Sequence, residues 1–261
     1  MRIALTIAGS DSGGAAGLQA DLRTFAAHRL HGTSAVTAVT AQNSVGVTAW
    51  SAVEPGLVAA QIEAVASDMP VAATKAGMLA SAAIIAAVAE AAARWPLGPL
   101  VVDPVMVSKS GHRLLDQAAE RAYVALLFPR ATLVTPNLHE ASALLGWPVE
   151  DLPGMRRAAV ALLAFGPAAV LVKGGALASG DSVDVLAFGE ELVDIPGPRI
   201  DTTNVNGAGC TLSAAICARL ALGDPLLEAV QAAKRYVLEA LRRSYQVGKG
   251  RGPLQQLHPL L

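Results

Sequence analysis

Short aliphatic runs alternate along this chain with longer alanine-rich stretches of helical period, and few architectures accept that alternation. Parallel strands joined by crossover helices are the one it fits best. The strand candidates are Ile3–Ala8, Ala35–Ala41, Ala72–Lys75, Leu100–Asp103, Thr132–Thr135 and Val170–Lys173. Helices are expected over Gly56–Ser67, Ser81–Arg94, Asp116–Leu127, Leu138–Leu145, Pro153–Phe165, Gly209–Leu222 and Pro225–Arg243, after a first one beginning near Ala16. That first helix places Leu18, Leu22, Phe25 and Ala26 on one face, with Asp21 at the edge of the stripe. Between Val183 and Ile195 an alternating segment broken at Gly189-Glu190 reads as a β-hairpin late in the chain. The expected class is α/β, a central, mostly parallel sheet flanked by helices. The 261 residues suit one domain over 1–261, with no internal repeat and no linker long enough to divide them. The glycine-rich tail Gly248–Pro253 is compatible with an ordered loop or a frayed end.

The residues just past each strand matter more than the strand itself. The ends read Gly9-Ser10-Asp11-Ser12-Gly13-Gly14, Gln42-Asn43, Lys75-Ala76-Gly77-Met78, Asp103-Pro104-Val105, Pro136-Asn137 with Glu140 one turn on, and Lys173-Gly174-Gly175. In open α/β sheets ligands sit outside the carboxyl ends of the strands, and here nearly every such end carries a glycine, an acid, an amide or a lysine. The plainer alternative is that loops are polar anyway and glycines only turn the chain.

The stretch Asn204–Ile216 opens as a glycine-rich turn and runs into an apolar helical pattern. Gly207 and Gly209 let the backbone approach a ligand closely, and the first amides of the helix, at the positive end of its dipole, suit phosphate oxygens. Cys210 falls in that first turn, where the same field favours its thiolate. The alternative is a tight turn capped by Asn206, with Cys210 as a small buried residue. Cys210 and Cys217 lie about 10 Å apart along one helix, so both are expected as reduced thiols.

Composition and missing motifs narrow the chemistry. The chain is 53% hydrophobic with a net charge of -1, without the basic excess of a nucleic-acid binder, so small ligands are the expected partners. Gly9, Ser10 and Asp11 interrupt the first apolar run too early for a signal peptide, and no run of about 18 apolar residues predicts a membrane span. A cytoplasmic setting is expected. There is no Walker sequence, no G-x-G-x-x-G, no H-E-x-x-H, no paired C-x-x-C and no G-x-S-x-G. His28, His31, His112, His139 and His258 show no metal spacing.

Seven segments in order, Gly9–Asp21, Thr40–Asn43, Asp103–Met106, Lys109–Gly111, Thr135–Ala141, Lys173–Gly175 and Gly207–Ala215, resemble the hydroxymethylpyrimidine/phosphomethylpyrimidine kinases of the ribokinase-like superfamily. The resemblance implies a three-layer ribokinase-like fold with a small β-hairpin or lid element. It implies ATP-dependent phosphorylation of 4-amino-5-hydroxymethyl-2-methylpyrimidine and then of its monophosphate in thiamine diphosphate biosynthesis, with Mg²⁺ and a homodimer. In this resemblance Cys210 is the general base and Gly207, Ala208 and Gly209 form the anion-holding turn. Gln42, whose amide suits the edge of an aminopyrimidine, Asp21, Gly9, Met78 and Met106 belong to the substrate side. Lys173, Asn137, Asp184 and Val205 belong to the nucleotide side, and Asp103 and Glu140 to the metal.

Each assignment has a plainer counterpart: a strand-end cap for Gln42, core packing for the methionines, a helix-terminus acid for Asp21, a surface charge for Lys173. The chain also departs from the pattern. Val205, Asn206 and Ala208 stand where the family commonly has threonine, histidine and threonine, Ala15 replaces a glycine, and Lys249 or Arg251 stands where a histidine is frequent. These changes bear on efficiency and nucleotide preference more than on reaction class. A pyridoxal kinase of the same superfamily and a non-catalytic nucleotide- or pyrimidine-binding regulator are the rival readings.

Overall fold

The computed structural model describes residues 1–106, 117–177 and 180–261. In chain order the elements are β1 (Ile3–Asp11), α1 (Gly17–Ala27), β2 (His31–Gln42), β3 (Val47–Ala52), α2 (Pro55–Ala66), β4 (Val71–Ala76), α3 (Ala82–Arg94) and β5 (Leu100–Val102). They continue with α4 (Gln117–Ala122), β6 (Leu133–Val134), α5 (Leu138–Leu145), α6 (Leu152–Leu163), β7 (Ala169–Val172), β8 (Asp184–Phe188), β9 (Glu191–Ile195), α7 (Ala208–Leu222) and α8 (Leu226–Arg242). The strands form one sheet in the order β3-β2-β1-β4-β5-β6-β7-β8-β9. β2, β1, β4, β5, β6 and β7 run parallel, and antiparallel strands close both edges.

Strand alternation sorts side chains to the two faces of this sheet. Leu5 and Ile7 of β1 join Val58 and Ile62 of α2 and Ile84, Ile85 and Val88 of α3. Ala4, just before Leu5 and on the opposite face, packs with Ala73 of β4 and Val101 of β5 on α1, α7 and α8. α5 and α6 cover β7 and β8 through Leu138, Met155, Val170 and Val185. The result is the three-layer arrangement expected from the sequence. α7 is the most enclosed helix, buried without interruption from Thr211 to Ala218, which explains an apolar pattern with no polar face.

Two elements depart from expectation. The sequence carries no sign of β3: Val47–Ala52 is almost wholly exposed, so it lacks the buried alternation that betrays a strand, and it is held by antiparallel pairing with β2. The tail around residue 250 is an ordered loop. Arg251 donates its amide to Ser44 O (3.0 Å), Gly252 to Asn204 Oδ1 (2.9 Å), and Asn206 to Gly252 O (3.1 Å). The segment Lys109–Gly111, His112 and the expected start of a helix at Asp116 lie outside the described residues.

Candidate active site

From β1 the chain steps to β2 on one side, and β4 then returns to the other side of β1. This reversal opens a crevice beyond the carboxyl ends of β1 and β4, the standard ligand position of a doubly wound sheet. A cavity of about 460 Å³ lies there, lined by residues that come after β1, β2, β4, β5, β6 and β7, by the start of α7 and by Lys249, Gly250 and Arg251 of the tail. The pattern of strand ends in the sequence therefore converges on one place.

At one end of the cavity Lys173 donates to Asp103 Oδ1 (2.6 Å) and stands 3.9 Å from Glu140 Oε2. All three are buried. Glu140 is fixed by a reciprocal cap of α5: Asn137 N donates to Glu140 Oε2 (2.7 Å) and Glu140 N to Asn137 Oδ1 (3.0 Å). Ser213 of α7 and Thr135 add hydroxyl donors to Asp103 at 3.2 and 3.3 Å. Burial pushes the Asp103 carboxyl up, but the ammoniums of Lys173 and Lys75 outweigh it and hold it below its ordinary value. Glu140, with less compensation, is pushed up to about 7 by burial and by the neighbouring Asp103 charge. One ammonium faces two carboxylates, so this end carries an uncompensated negative charge once Glu140 loses its proton at about 7.

The turn before α7 reaches the same end. Gly207 has φ +84°, and a Cβ there would lie 2.0 Å from Ala15 O, so only glycine lets the turn close against the first loop. No side chain among the described residues caps α7, and Gly207, Gly209 and Cys210 line the cavity. A Cβ on Gly209 would stand 3.4 Å from Lys173 Nζ, which puts the first turn of the helix beside that cation. Asp11 shapes the opposing loop by accepting the amides of Gly13, Ala15 and Ala16 at 2.8, 3.0 and 2.8 Å. The expected depression of the Cys210 thiol is corrected here. Burial pushes it up, and neither Lys75, the strongest charge pulling it down, nor the Gly17 amide offsets that, so the thiol stands above its ordinary value.

Gln42, Met78 and Gly9 also line the cavity, with the Met78 sulfur 3.3 Å from where a Cβ on Gly9 would be. The side-chain nitrogen of Gln42 makes no hydrogen bond among the described residues, which leaves it for a ligand; its oxygen accepts at 3.4 Å from Thr40. Lys75, whose role the sequence did not reveal, forms part of the wall.

Four expected site residues are placed elsewhere, and Ala208 lies in the α7 turn without lining the cavity. Asp21 is fully buried beneath the wall, bound by Lys75 Nζ (2.8 Å) and Thr6 Oγ1 (2.6 Å), because its helix position turns toward the sheet. Met106 is 1% exposed and packs in the apolar core. Asp184 is buried, accepting from Gly174 N (2.8 Å) and Lys234 Nζ (2.8 Å), so it shapes the loop after Lys173 without reaching the cavity. Val205 lies just ahead of the turn, outside the cavity lining, although its neighbour Asn206 is part of it. The sequence reading missed Ser44–Val47 and gave Lys249 and Arg251 no pocket position, since a glycine-rich tail shows no sign of folding back over a distant strand end.

Comparison with known proteins agrees with this geometry. Residues 11–255 match the family described as phosphomethylpyrimidine kinase. The hydroxymethylpyrimidine/phosphomethylpyrimidine kinase of Synechococcus elongatus is 52% identical over 260 residues, covering 99% of this chain and 98% of that protein. The crystal structure of a phosphomethylpyrimidine kinase from Clostridium difficile is 41% identical with a TM-score of 0.82, covering 92% of this chain and 100% of the other. An ADP complex of Bacillus subtilis pyridoxal kinase is 36% identical with a TM-score of 0.91, covering 98% and 97%.

Proposed function

The chain belongs to the phosphomethylpyrimidine kinase family and is a kinase, and we propose that it phosphorylates 4-amino-5-hydroxymethyl-2-methylpyrimidine and then its monophosphate with ATP, in thiamine diphosphate biosynthesis. The observation that carries this reading is a single cavity lined by two unlike groups of residues. Lys173, Asp103, Glu140 and the α7 turn make up one, and Gln42, Met78 and Gly9 the other. The first is built for the triphosphate, the second for a small polar heterocycle.

Mg²⁺ fits the donor set, since two buried carboxylates share one ammonium; Asp103 and Glu140 would hold it, and when bound it supplies positive charge to phosphate oxygens. Lys173 and the α7 amides stabilise charge that spreads over the transferred group. Asn137 keeps Glu140 in place through the cap. The acceptor oxygen bonds to the γ-phosphorus as the β,γ-bridging bond breaks, and ADP leaves with the electron pair. In the first step the hydroxyl proton passes to the Cys210 thiolate. Burial keeps that thiolate scarce at neutral pH, so the first step speeds up as pH rises. The second acceptor is a phosphate monoester, a dianion with no proton to lose above its second ionisation at pH ~6, and needs no base.

Incubation with Mg-ATP and the hydroxymethylpyrimidine should give mono- and diphosphate plus ADP by mass spectrometry. No phosphorylated pyrimidine would refute the reading. The likeness to pyridoxal kinase favours a second substrate class, and kcat/KM on pyridoxal against the pyrimidine separates the two, with Gln42 favouring the pyrimidine. A homodimer is part of the proposal, supported by an edge at β2–β3 that exposes Val39 and Trp50, and light scattering should give twice 26.6 kDa. One continuous sheet supports reading 1–261 as one domain, and two free thiols support a cytoplasmic location.

A further inference from the structure

Lys75 and Asp21 form a second buried ion pair, outside the roles assigned above. Lys75 is the cross-strand partner of Thr6, one pair before the β1–β4 ladder ends at Ile7 and Ala76, and its side chain is 0% exposed. Among the described residues its ammonium makes one hydrogen bond, to Asp21 Oδ2. Asp21 Oδ1, equally buried, has no hydrogen-bond partner among the described residues. Room for the ammonium exists because residue 77 is glycine: a Cβ there would stand 2.7 Å from Lys75 Nζ. Lys75 nevertheless lines the cavity alongside Cys210, Gly9 and Met78. A buried charge is costly to keep, and an apolar pair of similar volume is often as stable. A fixed cation at a reaction site, by contrast, stabilises charge as it develops without reorganising.

We propose that Lys75, anchored by Asp21, is a positioning residue that stabilises negative charge on the Cys210 sulfur and, through it, on the acceptor oxygen held in the cavity. The inference rests on the kinase reading and goes beyond it, because neither residue belongs to the nucleotide or metal groups. The charged groups acting on Cys210 are Lys75 from β4, Asp21 from α1, Asp103 after β5 and Lys173 after β7, joined by the Gly17 amide of α1. Lys75 is the strongest of those favouring the thiolate. In the second phosphorylation the same ammonium faces an acceptor that already carries charge, so one device serves both steps.

The test reads the thiol itself. Alkylation of Cys210 by iodoacetamide, followed by peptide mass spectrometry across pH without nucleotide, compares wild type with Lys75→Met and with Lys75→Met/Asp21→Asn. The double variant leaves no lone buried charge and guards against misfolding, checked by circular dichroism. In Lys75→Met the alkylation profile should move toward higher pH by about one unit, a tenfold slower reaction at a given pH below the midpoint, and in the double variant it should move the same way by less, because the Asp21 charge that pushes the thiol up is gone too. Turnover should fall on both acceptors while the KM for ATP stays within about twofold. A wild-type alkylation profile in folded Lys75→Met, or, where that variant does not fold, a profile moved to lower pH in the double variant, overturns the proposal even if wild type phosphorylates the pyrimidine. If wild type phosphorylates nothing, the kinase reading fails while the thiol readout still decides the role of Lys75.

Discussion

Two lysines sit in the same crevice with opposite charge balance. Lys75 meets one carboxylate, Asp21, in a buried and neutral pair behind the cavity wall it helps to form. Lys173 meets two, Asp103 and Glu140, and keeps a foothold in the cavity. A balanced pair can serve as a permanent local field, while an unbalanced triad has affinity to spare for an incoming cation. Cys210 feels both lysines, which makes it the residue through which the two regions can be compared.

The sharpest way to break that contrast is Lys173→Ala. It removes the only ammonium of the triad, and we expect turnover to fall by about 10³-fold, the scale on which losing a transition-state charge contact is felt. The KM for ATP should rise while calorimetric binding of the pyrimidine is unchanged; an intact KM and kcat would dissolve the distinction between the two groups. Next comes Cys210→Ala, expected to slow the first phosphorylation by about 10²-fold, the low end of general-base effects. The second phosphorylation should suffer less, because its acceptor has no proton to lose. Equal losses in both steps would make Cys210 a packing residue.

The smallest effect is one on stability, read without nucleotide or metal in Glu140→Gln, which keeps the cap but removes the charge. Glu140 holds its proton in the folded protein up to about 7, whereas the unfolded chain releases it near 4.5. Between those values the native state binds more protons, so wild-type stability declines as pH rises. The variant should lack that decline, by a few degrees of melting temperature. Parallel melting curves for the two proteins from pH 4.5 to 7.5 would mean the triad is not strained by its extra charge.

The layers and the strand ends were legible in the sequence because both are local: a run of Val and Leu followed by Asp-Pro or Lys-Gly-Gly is visible in a few residues. The same holds for the Gly207–Cys210 turn. What burial decides was not legible. Asp21 reads as a cleft acid until its helix is rotated against β1, and Met106 reads as a ring contact until the core claims it. The direction of the Cys210 shift depends on how much water the surrounding layers exclude, which no helix-terminus argument contains. β3 escaped because its pairing to β2 owes nothing to an apolar face.

The tail loop carries a consequence for assembly. Residue 251 clasps residue 44, residue 253 bridges to 206, and the turn at 207 closes against 15. Each of these clasps joins stations far apart in the polypeptide, so loop closure is the slow part of making the crevice. In refolding from denaturant, helical signal should return first, and competence to bind a nucleotide or a heterocycle should lag behind it.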